Sequence, residues 1–437
     1  VLIDTGDRPL TALHREQLGV ARRPVRIVHI GLGAFFRAHA AWYTDRVDTS
    51  GEWGIHAFTG RAPAAASILS AQDDLYTLVE RGPDEDAFTL VTVLSATGDG
   101  TDDRALGAAI CSPATAIITV TITEAGYTPA DRDGDGVPAR LAAGLSKRMR
   151  GGGGPLAIVS CDNLSRNGDI LRAAVLAGQS SELAGWIESN VSFVNTSVDR
   201  ITPRTTEAER REAAAASGYA DAAPVITEPY HAWILSGAFP AGRPRWEDAG
   251  AIFVDDIDGY VIRKLWLLNG AHSLLAYSGR LRGHRTVSEA MDDELCRVWL
   301  NEFWDTTSAL LPEPLAGRDY TFELERRFCN PRIVHDLDQI ATDGVVKLRS
   351  RVLPILQAAE ESDVDPRPIM RVICCWIANV LSLGPLNDGT PAAGLDAAAA
   401  TDDPVLELLR VISPGLSGND RMVEQCRGLL SEILPVT

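Results

Sequence analysis

At 437 residues, with 45% hydrophobic and 23% charged side chains, the chain has the make-up of a soluble globular protein too long for one ordinary core, so two domains of roughly 200 residues are expected. A net charge of −18 excludes nucleic acid and anionic membrane as general partners, while a local basic site for an anionic cofactor stays open. No apolar run approaches the roughly 18 residues of a membrane span, the N-terminus lacks the basic-then-apolar form of a signal peptide, and seven cysteines without a CxxC pair read as reduced thiols of a cytoplasmic protein.

After a polar lead-in ending at Pro24, Val25-Arg26-Ile27-Val28-His29-Ile30 is a β-branched strand. It runs into Gly31-Leu32-Gly33 and then a helix through Ala34, Phe35, Arg37, Trp42 and Tyr43. Strand, glycine turn and helix N-terminus make a seat for a dinucleotide pyrophosphate, because backbone N–H groups and the helix dipole face the anion. Phe36 stands where the usual fingerprint has its third glycine, so a tight βα turn without ligand is the plainer alternative. A second strand, Gly54-Ile55-His56-Ala57-Phe58-Thr59, ends in Gly60-Arg61 with no carboxylate to hold ribose hydroxyls. Arg61 there is either a partner for a 2′-phosphate or a solvated loop arginine.

Residues 75–94 alternate like a hairpin inserted in the domain, and residues 116–123 form another strand. Asp131-Arg132-Asp133-Gly134-Asp135-Gly136 mimics the start of a calcium loop, but the residue in the place of its bidentate glutamate is Ala142, so no calcium site is expected. The strand Leu156-Ala157-Ile158-Val159-Ser160-Cys161 leads to Asp162-Asn163-Leu164 and a helix. Asn163 lies beyond the carboxyl end of that strand, where it either reaches a substrate or caps the helix. Residues 205–223 read as helix, residues 227–244 as a turn-rich link, and Ala251-Ile252-Phe253-Val254 as a strand; from about Asp258 onward almost every segment reads as helix. The expected architecture is a Rossmann-type α/β domain over residues 1–257 followed by a mostly α-helical domain over residues 258–437.

The helical half opens on Arg263-Lys264-Leu265-Trp266-Leu267-Leu268-Asn269-Gly270-Ala271-His272-Ser273. In a regular α-helix Lys264, Asn269 and His272 project near about 0°, 140° and 80°, on one side of a largely apolar rod. Buried Lys, Asn and His need partners, and the internal glycine alone costs about 1 kcal/mol. Of 41 cationic residues only Lys147, Lys264 and Lys347 are lysines. Arginine stays protonated near neutral pH, whereas a buried lysine can serve as a base, so Lys264 is a candidate general base; the alternative is a lysine snorkelling at a helix end. Further on, His335, Gln339 and Lys347 make a polar neighbourhood suited to a polyhydroxylated or anionic molecule, or else a solvated face. No His/Cys/Asp cluster has metal-ligand spacing.

Taken in order, Gly31 through His39, Gln72-Asp73-Asp74-Leu75-Tyr76-Thr77-Leu78, Thr121-Ile122-Thr123-Glu124, Ser160 through Leu164, Lys264 through His272, and Asn330-Pro331 through Lys347 resemble the long-chain polyol dehydrogenases, the mannitol dehydrogenase family that also contains fructuronate reductase, from about residue 25 to 430. The resemblance implies metal-free oxidation of a secondary alcohol of a polyol or sugar acid with NAD or NADP. It makes Lys264 the catalytic base, Asn163 and Asn269 the holders of the reacting oxygen, and His272 the residue that orients substrate. Lys347, with Gln339 and His335, is then on the substrate side, and Gly31, Gly33, Ala34, Phe35, Arg37, Arg61 and Thr123 are on the cofactor side. A monomer or weak homo-oligomer is expected. Two departures stand out. Val261 occupies the place of a glutamate that many members carry three residues before the lysine, and Trp233-Ile234-Leu235-Ser236-Gly237 replaces an acidic stretch. Gln339 and His335 look more like the uronate-reducing branch. A nicotinamide-binding sensor with little catalysis, and a hydroxy-acid dehydrogenase of a related two-domain fold, are the alternatives.

Overall fold

The computed structural model describes residues 10–60, 63–122, 124–127, 136–312, 315, 318–384 and 392–434. Arg61, Thr123 and the calcium-like run at 131–135 lie outside the described residues. The chain packs as two units, Val1–Asp258 and Gly259–Thr437.

Unit 1 is built on one eight-stranded sheet. Its strands are β1 (Val25–Ile30), β2 (Gly54–Phe58), β3 (Leu94–Gly98), β4 (Ile117–Val120), β5 (Leu156–Ser160), β6 (Val191–Asp199), β7 (Ala232–Ser236) and β8 (Ile252–Phe253). Their spatial order is 3-2-1-4-5-6-7-8, parallel throughout except where β7 runs against β6. That order reverses between β1 and β4, which is where an open parallel sheet presents a crevice at its carboxyl edge. Alternation buries both faces: Ile27, Ile117, Ala157 and Val159 belong to the core on one side, and Val28, Ile30, Ile118, Val120, Leu156 and Ile158 to the core on the other. Helices such as Asp103–Cys111, Val137–Arg150 and Asn167–Leu176 cover the second face.

The hairpin expected at 75–94 is shorter than the sequence pattern. Tyr76–Arg81 and Asp86–Val91 pair antiparallel, Val225–Thr227 adds a third strand parallel to the first, and Leu94 instead opens β3 of the main sheet. The helix expected after the glycine turn is broken at His39 (φ −118°, ψ −95°) into Ala34–Ala38 and Ala40–Val47. His39 is fully buried, and its Nε2 lies 3.0 Å from the Ala232 carbonyl at the start of β7, so a tertiary contact takes the place of helical continuity.

Unit 2 is a helical assembly around the apolar helix Arg367–Leu383, which packs against Ala271–Leu281, Glu294–Ala309 and Asp420–Ile433. No helix among the described residues is long and apolar enough to cross a membrane.

Candidate active site

In unit 1 the chain leaves β1 through Gly31 at φ +112°, a region closed to most side chains. The N–H groups of Gly31 and Leu32 both donate to the Phe58 carbonyl at 2.9 Å, and the Gly31 carbonyl accepts from Thr121 Oγ1 at 2.9 Å. A β-carbon on Gly31 would stand 2.0 Å from the Thr121 carbonyl oxygen, so only glycine lets β1 and the end of β4 come this close. Gly33 then caps the helix Ala34–Ala38 with no side-chain cap, leaving the first-turn N–H groups of Ala34 and Phe35 without intrahelical acceptors. An exposed glycine cap and outward amides at the point where strand order reverses fit a pyrophosphate.

Two side chains hold this turn. His29, fully buried, stacks on Phe36 with ring centroids 3.4 Å apart; its Nδ1 is 2.8 Å from Thr119 Oγ1 and its Nε2 3.3 Å from Thr121 Oγ1. Arg37 sends Nη1 to the Ala223 carbonyl at 2.5 Å and Nε to the Gly33 carbonyl at 3.3 Å, and its guanidinium lies over the Tyr76 ring. Arg37 thus braces the turn from behind with donors that sequence reasoning aimed at the cofactor. Phe35 is half-buried and stacks on His39.

Burial pushes the His29 and His39 pKa values each down to about 3. The unfolded chain, with histidine near about 6.5, therefore takes up these protons first, so the stability is full above about pH 6.5 and is lost as pH falls toward 3. At pH 5 each buried imidazole costs about 2 kcal/mol relative to neutral pH. Thermal unfolding should show Tm falling between pH 7.5 and pH 5, with a shallower fall in His29→Asn. An equal fall in that variant would remove His29 from the account.

Asn163 lies exposed just past β5. It does not cap the next helix: Asn167–Leu176 starts from Arg166 at φ +51°, with no side-chain cap. The loop is fixed by its neighbours. Asp162 accepts from the Ile122 N–H at 2.8 Å and the Tyr127 hydroxyl at 2.6 Å, and the Asn167 amide grips the Asp162 and Thr196 carbonyls.

In unit 2 the stretch Lys264–Gly270 is a π-helix, between the α-helices Asp258–Arg263 and Ala271–Leu281. With bonds from i to i+5 the wider turn puts fewer degrees between successive residues, so the angles of a regular α-helix do not apply and Asn269 stands nearer the Lys264 face than about 140°. Carbonyls loosened by the wider turn find side chains: Trp304 Nε1 donates to Leu267 at 2.9 Å, and Ser273 Oγ to Asn269 at 3.1 Å. Gly270 admits the Phe303 ring, whose Cζ would sit 2.8 Å from a β-carbon there. A second π-helix, Leu348–Val352, packs against the first, and Lys347 immediately precedes it with Nζ donating to the Ile340 carbonyl at 3.0 Å.

His272 is 7% exposed, stacked on Phe328 at 4.5 Å and edge-on to His335 at 4.7 Å. Burial, then repulsion by His335, Arg327, Arg351 and Lys264, holds its pKa well below the usual histidine value. His335 is brought down to about 4 by burial first and Arg327 second. Both rings are therefore neutral at working pH, and His272 Nε2 and His335 Nδ1 are buried without a hydrogen-bond partner among the described residues. Lys264 is half-buried and Asn269 buried, whereas the Gln339 side chain is exposed. The structure thus draws Lys264, Asn269, His272 and His335 into one neighbourhood and sets Gln339 at its surface. Sequence reasoning did not find Phe328 or Trp304, because their part depends on contacts between distant helices.

A sheet of order 3-2-1-4-5-6 with a glycine turn at its reversal marks unit 1 as a dinucleotide fold. Unit 2 carries a lysine, an amide and an imidazole, Lys264, Asn269 and His272, within one nine-residue stretch. Such a chain is in the class of two-domain oxidoreductases acting on CH–OH groups. It belongs to the mannitol dehydrogenase family: the models of the mannitol dehydrogenase Rossmann domain and C-terminal domain match residues 25–248 and 256–433. It is 33% identical over 421 residues to a mannitol 2-dehydrogenase of Pyrenophora tritici-repentis, covering 88% of this chain and 72% of that one. It is 33% identical over 367 residues to a D-mannonate oxidoreductase of Escherichia coli, covering 76% and 75%. The Pseudomonas fluorescens mannitol 2-dehydrogenase, solved as a ternary complex with NAD and D-mannitol, superposes with a TM-score of 0.81 at 29% identity over 97% of each chain.

Proposed function

We propose that this chain interconverts a secondary alcohol of a polyol or sugar acid and the corresponding ketose or keto-acid, with NAD or NADP and without a metal. The observation that supports the reading is the π-helical stretch, which carries Lys264 and the buried Asn269 within one wide-turned segment, followed by the buried His272. The dinucleotide, seated at Gly31, Gly33, Ala34 and Phe35, supplies the hydride acceptor; Arg37 positions that seat, and Arg61 and Thr123 are assigned to the same cofactor. Lys264 takes the hydroxyl proton at Nζ. The amide of Asn269 donates to the oxygen as it gains negative charge, and Asn163 is assigned the same task. His272 offers Nε2 to a neighbouring substrate hydroxyl and, being neutral, orients rather than titrates. Lys347, His335 and Gln339 are assigned to the remote hydroxyls. The protein acts in the cytoplasm as a monomer or weak homo-oligomer.

A panel of polyols, aldonates and hydroxy acids assayed with both dinucleotides, with products identified, tests this. Dinucleotide reduction with a polyol or aldonate is expected. Binding of nicotinamide without turnover of any compound would favour a sensor, and turnover confined to short hydroxy acids would favour the other dehydrogenase class.

A further inference from the structure

Four cysteines, Cys296, Cys374, Cys375 and Cys426, are fully buried in the apolar core of unit 2. None has a part in the chemistry proposed above. Cys374 lies on the central helix Arg367–Leu383 and Cys426 on the helix Asp420–Ile433; the two helices pack together and are joined at their surface by Arg367 and Glu432. The Cys374 and Cys426 sulfurs stand 3.2 Å apart although the residues are 52 positions apart in the chain, and Cys374 Sγ lies 3.7 Å from the Cys426 carbonyl oxygen as well. Cys375, the next residue, projects about 100° further round the central helix.

A disulfide bond is about 2.05 Å long, so these two sulfurs have to close by roughly 1 Å to form one. Burial holds the Cys374 thiol well above the usual cysteine pKa, and in the packed core this sulfur is a protonated, unreactive thiol. A single buried sulfur oxidised as far as a sulfinic acid brings a charged group into apolar surroundings, at high cost. A second sulfur in contact offers another end point, an uncharged disulfide. A reducing compartment keeps such a pair as thiols at rest, so the bond marks transient oxidation.

We propose that Cys374 and Cys426 are an oxidation site, which hydrogen peroxide converts to a reversible disulfide that fastens the helix Asp420–Ile433 to the central helix. The peroxide reaches the pair when Asp420–Ile433 lifts away, a helix held by one apolar face of Met422, Val423, Cys426, Leu429 and Leu430. One sulfur attacks the peroxide, the O–O bond breaks, and a sulfenic acid and one water result. The other sulfur then attacks the sulfenic sulfur, the S–O bond breaks, a second water leaves and the S–S bond forms. The two thiols lose two hydrogens between them, and the peroxide is reduced to water. The cross-link closes a loop of about fifty residues, which removes freedom from the unfolded chain.

The test treats the reduced full chain with hydrogen peroxide, then unfolds, alkylates and digests it for mass spectrometry. A cross-linked peptide pair carrying Cys374 and Cys426 is expected, lost on treatment with dithiothreitol, and the oxidised protein should melt about 5–10 °C higher than the reduced one. In Cys426→Ala the same treatment should instead give sulfinic acid at Cys374 and a lowered Tm. Recovery of both cysteines as thiols, pairing of either with a different cysteine, or sulfinic acid at Cys374 in the unaltered chain would overturn the proposal. So would a cross-link that leaves Tm unchanged. Should Cys426→Ala fail to fold, the peptide map and Tm of the unaltered chain decide by themselves.

Discussion

Lys264→Ala is expected to lower kcat by about 10²–10⁴-fold, the range that general-base catalysis contributes. The proposed dinucleotide seat at Gly31, Gly33, Ala34 and Phe35 is built within unit 1, so dinucleotide binding followed by fluorescence should be unchanged. The helical core beneath is apolar and supplied by Leu267, Leu268, Leu274 and Leu275, so thermal stability should hold as well. Lys264→Arg should be no better than alanine, since a guanidinium does not release its proton near neutral pH. Small primary amines added to Lys264→Ala should restore part of the rate, with an efficiency that follows amine basicity. Activity within tenfold of the unaltered enzyme would end the assignment of Lys264 as the base.

The second large effect concerns Gly31 and is sharpened by its contrast with Gly33. Gly31→Ala places a methyl group 2.0 Å from the Thr121 carbonyl and forces a side chain onto φ +112°. The turn must open, separating β1 from the end of β4, and a loss of several kcal/mol of stability is expected, at about the upper end of single substitutions. Gly33→Ala meets nothing closer than the Gly31 carbonyl at 3.5 Å and carries no positive φ. It should fold normally and weaken only dinucleotide binding. Calorimetry on both variants, with dinucleotide titration of the second, separates the two roles; similar stability of the two would show that the turn is softer than its geometry implies.

The strand, glycine turn and helix at residues 25–47 are legible in the sequence because β-branched residues, two glycines and an apolar helix follow one another within a short span. The helical character of the second unit is legible for the same local reason. β7 is not: Trp233-Ile234-Leu235 sits in five residues among turns, and what makes it a strand is antiparallel pairing with β6, a long-range contact. The identity of the polar residues in the Lys264 stretch is plain from sequence, but their geometry is not. A period of 3.6 is assumed in any helical reading, and the partners that steady a wider turn, Trp304 and Arg351, come from distant segments. His29 shows the limit most clearly. Within its strand it reads as an isolated polar residue, and only the fold reveals it stacked on Phe36 and bonded to Thr119 behind the glycine turn.

The π-helix at Lys264–Gly270 also bears on how this enzyme tolerates insertions and deletions. A π turn holds about one residue more than the α turn it interrupts, so the angle between Lys264 and Asn269 is set by chain length as well as residue type. Deleting one residue between them would let the stretch close to the α form with the lysine and the amide four apart and still on one face, whereas an α-helix that kept every residue would set them about 140° apart. Chain length and helix type are therefore coupled here: keeping every residue calls for the wider turn, and losing one removes the need for it.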